Sequence, residues 1–282
     1  LEGSKAFAND FMKEFDIPTA KYLTVTNDNL TQGMDYIDSQ TSKIVLKADG
    51  LAAGKGVVIL NDLNEAKTEL KSMLVDSKFG EASKKVVIEE FLDGIELSCF
   101  VLTDGENYKV LPTAKDYKRI GEGDTGLNTG GMGSISPVPF VDKTLMAKVE
   151  ERVVKPTIKG LQKRAYKYTG FVFIGLIKVG DEPFVIEYNC RMGDPETQSV
   201  LPRLKSDFLE LCLAISDGTL TQYEVEIEDR PAASVVMVSG GYPEAYEKNK
   251  VIGFEGMLPG SMVFQAGTKM KDQQLITNGG RV

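Results

Sequence analysis

Apolar residues recur at every fourth position near the N-terminus, where Phe7, Phe11 and Phe15 would lie on one face of a helix. Ser4 precedes this run and can accept a hydrogen bond from a backbone N–H of the first turn, so it is the predicted N-cap. Pro18 marks the end of the unit. The pattern therefore predicts a short N-terminal helix.

Two short apolar runs, residues 43–48 and Val57–Leu60, flank a glycine-rich segment at residues 49–56. Both runs are predicted to be strands. Asp62 with Glu65 three positions later is a capping box and predicts the start of a helix. One apolar face of this helix would be formed by Ala66, Leu70, Met73 and Leu74. The strand–loop–strand–helix unit is small enough to be a mobile subdomain.

Asp-Gly pairs separate the apolar runs at residues 86–92, 95–103 and 108–111, and such pairs predict hairpin turns in an antiparallel sheet. A further hairpin is predicted between strands at residues 171–178 and 183–189. These runs together predict a sheet that is largely antiparallel.

Two more helices are predicted in the second half of the chain. The first begins at Asp142 and is interrupted at Pro156, and the second is N-capped by Ser206 and closed by Gly218. An acidic segment then precedes a new apolar run. We therefore place a domain boundary near Arg230.

Composition restricts the chemistry of the 282-residue chain. A net charge of −8 argues against a nucleic-acid partner, because phosphate backbones bind basic surfaces. No apolar stretch approaches the ~18 residues that cross a bilayer. The absence of histidine excludes Ser-His-Asp and Cys-His catalysis and His-ligated zinc within the chain. Catalysis must therefore depend on carboxylates, lysines, arginines, amides and a metal ion.

The three cysteines, Cys99, Cys190 and Cys212, are scattered and contain no Cys-x-x-Cys spacing. They favour neither a disulfide framework nor a zinc site, and a reducing cytoplasm is the predicted location. The chain begins at Leu1 without a signal peptide or a starting methionine, which favours a piece of a longer protein.

Residues 50–56 are the first candidate binding site. Glycines and alanines let backbone amides approach phosphate oxygens, and Lys47 and Lys55 supply positive charge. The spacing is not that of a Walker loop, and a strand follows where a Walker loop leads into a helix. The alternative is a flexible hairpin connection without a ligand.

Residues 115–136 are polar, glycine-rich and aperiodic, which predicts a long loop of the kind that is usually functional. The Gly-x-Gly-x-x-Gly spacing at residues 121–126 is not a dinucleotide site, because no strand precedes it, no helix follows it and two acidic residues would repel a pyrophosphate. The loop suits an anionic substrate instead, because it contains three cations: Lys115, Lys118 and Arg119. The alternative is a solvated surface loop.

Strand alternation would place Glu187 and Asn189 on one face of a sheet and Ile186 and Tyr188 on the other. Two hard oxygen ligands at this spacing suit Mg²⁺, which takes one or two protein oxygens together with phosphates and water. Arg191 follows at the same period and would stabilise charge on a transferring phosphoryl group. The alternative is an exposed polar strand face.

Glu89 and Glu90 end a mostly apolar strand, and Glu96 lies just beyond the next predicted turn. A strand-to-loop hinge of this kind often holds adenine through backbone groups, and a carboxylate can accept ribose hydroxyl groups. The alternative is that these are ordinary exposed glutamates at the end of a strand.

Taken in order, these segments resemble the ATP-grasp family, and within it the ligases that join glycine to phosphoribosylamine in purine biosynthesis. The matching segments span essentially the whole chain and lie at residues 47–57, 89–94, 124–133, 187–196 and 240–243. The resemblance implies an α+β fold in which two subdomains with largely antiparallel sheets sandwich ATP. It implies an ATP-grasp domain at residues 1–229, with a small lid subdomain at about 19–85, and a truncated, β-rich C-terminal domain at residues 230–282.

The resemblance also implies roles for individual residues. ATP would be bound by Lys47, Gly54, Lys55, Gly56, Glu89, Glu90, Phe91, Leu92 and Glu96. Mg²⁺, with Mn²⁺ as the alternative, would be held by Glu187 and Asn189. The small substrates glycine and 5-phosphoribosylamine would be bound by Asp116, Asn128, Thr129, Gly130, Gly131, Pro195 and Glu196. The catalytic residues would be Lys118, Arg119, Arg191 and Asp194.

In that family the carboxylate of glycine attacks the γ-phosphate of ATP, and the amine then displaces phosphate from glycyl phosphate. Two anions must meet, so a metal ion and cations must neutralise them, and a closed lid must keep water from the acyl phosphate. The resemblance implies a monomeric cytoplasmic enzyme with small-molecule substrates and no nucleic-acid or membrane partner.

The sequence departs from the family pattern at four positions. Tyr117 and Gln265 stand where histidines are expected, Leu127 replaces a proline and Met192 replaces a phenylalanine. The family's N-terminal domain is expected to be missing, which predicts nucleotide binding with weak or no complete turnover. Two alternative functions stay open: another ATP-grasp carboxylate–amine ligase, and an inert nucleotide-binding module.

Overall fold

The computed structural model describes residues 1–50, 56–256 and 259–282. The strands in these ranges are β1 (Tyr22–Val25), β2 (Ile44–Ala48), β3 (Val57–Leu60), β4 (Val86–Glu90), β5 (Ile95–Thr103), β6 (Tyr108–Val110), β7 (Lys115–Asp116), β8 (Arg119–Gly121), β9 (Thr125–Asn128), β10 (Gly133–Ser136), β11 (Gly170–Val179), β12 (Glu182–Asn189), β13 (Ala232–Val235), β14 (Thr268–Lys271) and β15 (Gln274–Thr277). The α-helices are α1 (Lys5–Glu14), α2 (Leu30–Asp38), α3 (Leu63–Leu74), α4 (Lys143–Val149), α5 (Lys155–Lys163), α6 (Thr197–Val200) and α7 (Phe208–Ser216).

Two four-stranded antiparallel sheets carry most of the buried apolar side chains. The first sheet has the strand order β1-β4-β2-β3, and α2 and α3 contribute to the same apolar core through Ile37 and Leu70. The second sheet has the order β12-β11-β5-β6, and α1, α4 and α5 pack on it around Phe11 and Ile174. The predicted α+β class with largely antiparallel sheets is confirmed.

The N-terminal helix begins where the sequence predicts it. Ser4 accepts a hydrogen bond from the backbone N–H of Phe7, and its own hydroxyl donates to Asp49 at 2.8 Å. Asp49 also accepts from the backbone N–H of Ala6 at 2.7 Å. The start of α1 is therefore tied directly to the end of β2.

The Asp93-Gly94 pair does not form a hairpin, which corrects the prediction from sequence. β4 lies in the first sheet and β5 in the second, so the pair connects two sheets. Both edges of β4 are already occupied by β1 and β2. Gly94 is needed because a Cβ there would lie 2.2 Å from the carbonyl oxygen of Lys178. By contrast, the predicted hairpin between β5 and β6 is confirmed.

The long loop predicted at residues 115–136 contains four short strands instead, β7 to β10. β8 and β9 form a two-stranded hairpin, and β10 pairs with both β7 and β13. Strands of two to four residues are too short to show a hydrophobic period, so the sequence pattern predicted a loop here instead of strands. The pairing of β10 with β13 joins the C-terminal part of the chain to the rest.

The hairpin of β11 and β12 is confirmed, but the predicted alternation along β12 is wrong at Ile186. The pairing shifts between Gly175 and Leu176, so β12 has one extra residue in a β-bulge. In a regular strand, residues three positions apart lie on opposite faces. Because of the bulge, Val185 and Tyr188 both pack into the apolar core between this sheet and its helices.

The two later helices differ in detail from their predictions. α5 continues through Pro156, which lies in its first turn, and a π-helical segment at Glu150–Val154 precedes it. α7 is N-capped by Asp207 and not by Ser206, whose hydroxyl bonds to the segment after Tyr223 instead. None of the helices in the described part of the chain has the length and apolar character needed to span a bilayer.

Gly160 in α5 provides a test of the packing that holds α1. A Cβ at this position would lie 2.6 Å from Phe11 Cζ and 2.7 Å from Phe15 Cδ2. Alanine normally favours a helix interior over glycine by about 1 kcal/mol. We expect Gly160→Ala to lower the free energy of unfolding by about 1–3 kcal/mol, because Phe11 is fully buried and cannot move away.

Urea unfolding measures this difference. Lys159→Ala, an exposed neighbour in the same helix, is the control and should change stability by less than about 0.5 kcal/mol. A Gly160→Ala variant more stable than the wild type would show that α1 and α5 are not closely packed here.

Candidate active site between two sheets

Lys47 connects the two large sheets. It lies on β2 in the first sheet, and its Nζ donates to the carbonyl oxygen of Ile186 on β12 in the second sheet at 2.9 Å. The same Nζ lies 2.6 Å from Glu89 Oε2 on β4. The side chains of Lys47 and Glu89 are only 10% and 6% exposed, so this is a buried ion pair. The bulge that displaces Ile186 thus places a carbonyl group where Lys47 can reach it.

The hinge after β4 is held from several directions. Glu89 also accepts from Asn9 Nδ2 at 2.9 Å, so α1 completes the environment of this carboxylate. Glu90 accepts from the backbone N–H of Lys21 through its side chain, and its own N–H donates to the carbonyl of Lys21. The glutamate side chains are therefore engaged by protein groups. The backbone of Phe91 and Leu92 makes no hydrogen bond to other described residues, so it is available to a ligand.

Residues 51–55 of the predicted phosphate loop, which include Gly54 and Lys55, lie outside the described residues. Gly56 is described and buried, and its carbonyl accepts from the N–H of Ala48 at 2.7 Å. The end of the loop is thereby fixed to β2, one residue beyond Lys47.

Lys5 is a cation at this site that the sequence did not single out. Its Nζ donates to the carbonyl of Ala48 at 2.8 Å and contacts that of Gly50 at 3.3 Å. Burial and the neighbouring Lys47 lower the pKa of Lys5, against the opposing effect of nearby carboxylates, of which Glu187 is the largest. The sequence carries no signal for this contact, because the partners lie more than forty positions apart.

Glu187 and Asn189 follow the bulge on β12, on the side opposite the buried Tyr188. Glu187 is exposed, and its side chain forms no hydrogen bond or ion pair with other described residues. Asn189 Oδ1 receives only a long contact of 3.5 Å from Arg191. Both side-chain oxygens are available to a cation.

The described residues contain no group of three or more acidic, cysteine or histidine side chains that could hold a metal on its own. A hard cation here would complete its coordination with phosphate oxygens and water, which is how Mg²⁺ is usually bound. The oxygen donors Glu187 and Asn189 fit such an ion.

Lys118 and three carboxylates form the second charged cluster. Lys118 Nζ lies 2.9 Å from Glu96 Oε2 and 3.9 Å from Asp116 Oδ2. Burial opposes the charge on Lys118, but Glu96, Asp116 and Glu187 outweigh it and raise the pKa of Lys118. Burial alone would raise the pKa of Glu96. Lys118 and neighbouring lysines outweigh this effect and hold the pKa of Glu96 below its usual range.

Glu196 is the most buried acid of this region, at 3% exposed. Its Oε1 accepts from the hydroxyl of Ser98 on β5 at 2.8 Å. Burial, with a smaller contribution from Asp116, raises the pKa of Glu196. Burial also raises the pKa of Asp116, although Lys118 partly offsets it. These two acids thus belong to one low-dielectric cluster.

The hairpin of β8 and β9 brings the remaining predicted substrate residues towards Lys118. Arg119 pairs with Asn128 in the hairpin, and its guanidinium donates to the carbonyl of Gly126. Thr129 donates to the carbonyl of Lys118 through both its backbone N–H and its hydroxyl, each at 2.8 Å.

Arg191 and Asp194 are held by different remote residues. Arg191 Nε donates to Glu2 at 3.1 Å, and Asp194 Oδ2 accepts from Arg281 at 2.6 Å. Arg281 was not singled out by the sequence either. Pro195 follows Asp194 and lies against Gly131, where a Cβ would be 2.4 Å from Pro195 Cδ.

Two known family profiles match the chain, one over its larger N-terminal part and one over its C-terminal part. The family profile described as phosphoribosylglycinamide synthetase, ATP-grasp (A) domain, matches residues 3–197. The profile described as phosphoribosylglycinamide synthetase, C domain, matches residues 232–282.

Relatives of known name agree with these matches. The chain is 48% identical over 285 residues to a phosphoribosylamine–glycine ligase of Vibrio vulnificus, and 46% identical over 288 residues to that of Escherichia coli. In both cases the whole chain is covered, together with 66% of the relative. A bifunctional purine biosynthetic protein of Pichia angusta is 46% identical, with 36% of its length covered. The chain therefore spans just under two thirds of the first relatives.

Solved structures extend the comparison. A phosphoribosylamine–glycine ligase of Thermotoga maritima is 39% identical and superimposes with a TM-score of 0.89, covering the whole chain and 70% of that structure. The biotin carboxylase domain of a 2-oxoglutarate carboxylase of Hydrogenobacter thermophilus, solved with magnesium ADP, has a TM-score of 0.70 at 15% identity. It covers 99% of this chain and 62% of that one, and at this identity it shows the fold alone.

Removal of the Lys47 charge should destabilise the fold. Lys47→Met leaves Glu89 buried without its cation, so we expect the free energy of unfolding to fall by about 3 kcal/mol. Lys47→Met/Glu89→Gln should recover at least half of this loss, because a neutral glutamine still accepts from Asn9. Urea unfolding measures both values. Lys21→Met, which removes an ion pair of a lysine that is 85% exposed, is the control. A loss of unfolding free energy in Lys47→Met no larger than in Lys21→Met would contradict the interpretation.

Lys118→Met should show a pH-dependent loss of stability. The depressed pKa of Glu96 contributes stability above its unfolded value of about 4.3, and this contribution is lost as pH falls through the folded pKa. Without Lys118, burial raises the pKa of both Glu96 and Asp116, so the variant loses stability as pH rises through those values. The deficit relative to wild type should therefore grow between about pH 4 and 7 to about 1 kcal/mol, a small value because the Lys118 side chain is 43% exposed.

Urea unfolding at several pH values measures this deficit. Lys118→Met/Glu96→Gln should reduce the pH dependence, and Lys167→Met, an exposed lysine outside the cluster, should show none. A deficit that is constant with pH would exclude the proposed electrostatic coupling.

Proposed function

The chain belongs to the phosphoribosylglycinamide synthetase family, which has the ATP-grasp fold, and we propose that it ligates glycine to 5-phosphoribosylamine at the expense of ATP. The products would be glycinamide ribonucleotide, ADP and phosphate, in purine biosynthesis. The proposal concerns the activity of the complete protein, because the chain spans 66% of the first relatives.

One observation carries this proposal. Glu187 and Asn189 present free oxygens on β12, and the carbonyl of Ile186 beside them is bonded to Lys47 of the opposing sheet. Oxygens suited to a divalent cation and a lysine suited to phosphate thus lie close to each other across the space between the two sheets. A nucleoside triphosphate with a divalent cation has the matching charge distribution, and the related fold solved with magnesium ADP supports this choice.

The nucleotide would lie between the hinge and the second sheet. The free backbone groups of Phe91 and Leu92 would bond adenine, and Glu96 would accept the ribose hydroxyl groups. Lys47 and the glycine-rich segment that ends at Gly56 would hold the phosphates. Mg²⁺, or Mn²⁺ in its place, would be held by Glu187 and Asn189 and would neutralise phosphate oxygens.

The small substrates would lie on the other side of the phosphates. An oxygen of the glycine carboxylate attacks the γ-phosphorus, the bond from that phosphorus to the β-phosphate oxygen breaks, and ADP leaves. The amine of phosphoribosylamine then attacks the carbonyl carbon of glycyl phosphate, phosphate leaves with the bonding electrons, and the new amide nitrogen loses a proton. Lys118, Arg119 and Arg191 would offset the negative charge that gathers where these anions meet.

Glu196 and Asp116 have a separate role in this proposal. Both would line the substrate side of the site, where burial raises the pKa of each acid and Lys118 offsets part of the charge of Asp116. The loop that contains Asn128, Thr129 and Gly130 would close the same side and exclude water from the acyl phosphate.

The location and assembly of the protein belong to the same proposal. Cys99, Cys190 and Cys212 are all free thiols, which fits a reducing cytoplasm. We further propose a monomer that acts on small molecules without a nucleic-acid or membrane partner.

Formation of ADP by the product of the complete gene tests the function. ADP release should require both glycine and phosphoribosylamine. Glu187→Gln should lower the rate by at least about 100-fold and raise the Mg²⁺ concentration needed for nucleotide binding by about 10- to 100-fold, because one of two protein ligands is lost.

Glu106→Gln is the matched control, since Glu106 is an exposed glutamate on the turn between β5 and β6. It should leave rate and Mg²⁺ dependence unchanged. ADP formation that depends on a different acid or amine would favour another carboxylate–amine ligase. Nucleotide binding with no substrate-dependent ADP release would identify an inert binding module.

A further inference from the structure

Arg281 near the C-terminus contacts both loops that would surround the small substrates. Its Nη1 donates to the carbonyl oxygen of Gly130 at 2.7 Å, and its Nη2 donates to Asp194 Oδ2 at 2.6 Å. One planar guanidinium group therefore joins the loop after β9 to the loop before α6. The side chain of Arg281 is 23% exposed and that of Asp194 is 55% exposed, so the geometry of the fork, with one bond to each loop, is what distinguishes this contact.

The two loops are also in direct contact, so they form one unit with Arg281. Gly131 has a φ of +112°, and a Cβ at this position would lie 2.4 Å from Pro195 Cδ. A Cβ at Gly130 would lie 3.1 Å from Arg281 Cζ, so the guanidinium lies close against the backbone of residue 130. Movement of either loop would disturb the other.

The C-terminal part of the chain holds this unit in place at several points. The N–H of Gly130 donates to the hydroxyl of Tyr242 at 3.0 Å, so both backbone groups of residue 130 are held by C-terminal residues. The backbone of Arg281 accepts from the N–H of Gly267 at 2.9 Å and forms a β-bridge with Val238. These contacts fix the backbone of Arg281, so its side chain extends from an ordered segment.

Asp194 depends on this contact for its charge balance. Within the part of the chain that the structure describes, its other oxygen accepts only from the neutral amide of Gln198 at 3.2 Å. Loss of Arg281 would leave the carboxylate with one weak neutral partner, free to rotate and with its full negative charge facing the anionic substrates.

We propose that Arg281 is a positioning residue, which orients Asp194 and the Gly130 loop for the small substrates without affecting the nucleotide. The inference rests on the proposed function for the identity of those substrates. It assigns to the C-terminal region a role on the substrate side of the site, separate from the phosphate side formed by Lys47 and Glu187.

Steady-state kinetics with the product of the complete gene tests the proposal. Arg281→Met should raise the KM for glycine or for phosphoribosylamine about tenfold, equivalent to about 1.4 kcal/mol, while the Kd for Mg-ATP changes less than twofold. Arg281→Lys should give an intermediate KM, because one ammonium cannot replace both arms of the fork. Arg230→Met is the control, since Arg230 pairs only with the nearby Glu228 and should leave all constants unchanged.

An unchanged KM for both small substrates in Arg281→Met would overturn the proposal, and so would a parallel loss of Mg-ATP binding, which indicates general disruption. A wild type without glycine-dependent ADP formation would instead contradict the proposed function. The positioning contact is then tested by a double-mutant cycle of Arg281→Met and Asp194→Asn in urea unfolding. Non-additive effects on stability support the contact, and additive effects overturn it.

Discussion

The arrangement of the site depends on one buried cation. Lys47 crosses from the first sheet to the second, where it bonds a backbone carbonyl, and it is neutralised by Glu89 within its own sheet. A buried ammonium is stable only when its charge is compensated and its N–H groups are bonded. If the two sheets moved apart at this point, Lys47 would lose either its hydrogen bond to Ile186 or its ion pair with Glu89. Asn9 of α1 extends this constraint to the N-terminal helix.

The same contact explains the placement of Glu187 and Asn189, to which the proposed function assigns the metal ion. The β-bulge at Ile186 adds one residue to β12, so the carbonyl of Ile186 meets Lys47 while Glu187 starts a new alternation. Gly175 lies opposite Glu187, and a Cβ there would lie 2.7 Å from Glu187 Cγ. A glycine on the neighbouring strand is thus what gives Glu187 room on this face.

Much of the fold was readable from local patterns, because caps and hairpins are set by neighbouring residues. Ser4, the turn between β5 and β6 and the pairing of β11 with β12 are examples. The bulge at Ile186 was not readable, since it is defined by the register of another strand. Gly94 shows the same limit: its dipeptide is typical of a hairpin, but the glycine is required by the backbone of Lys178, which lies in another strand. Lys5 and Arg281 were missed because each acts on partners far away in sequence.

The distribution of charge suggests how an acidic protein can bind anionic ligands. The cations Lys47 and Lys118 are already paired with Glu89 and Glu96, so they add little net positive charge to the site. Glu187, in contrast, has no cationic partner among the described residues. An anion that brings its own divalent cation would supply an ion-pair partner for Glu187, whereas an anion entering alone would bring none. The proposed preference for a metal-bound nucleotide over a free one thus rests on Glu187, which forms no ion pair with the described residues while Lys47 and Lys118 are paired with Glu89 and Glu96.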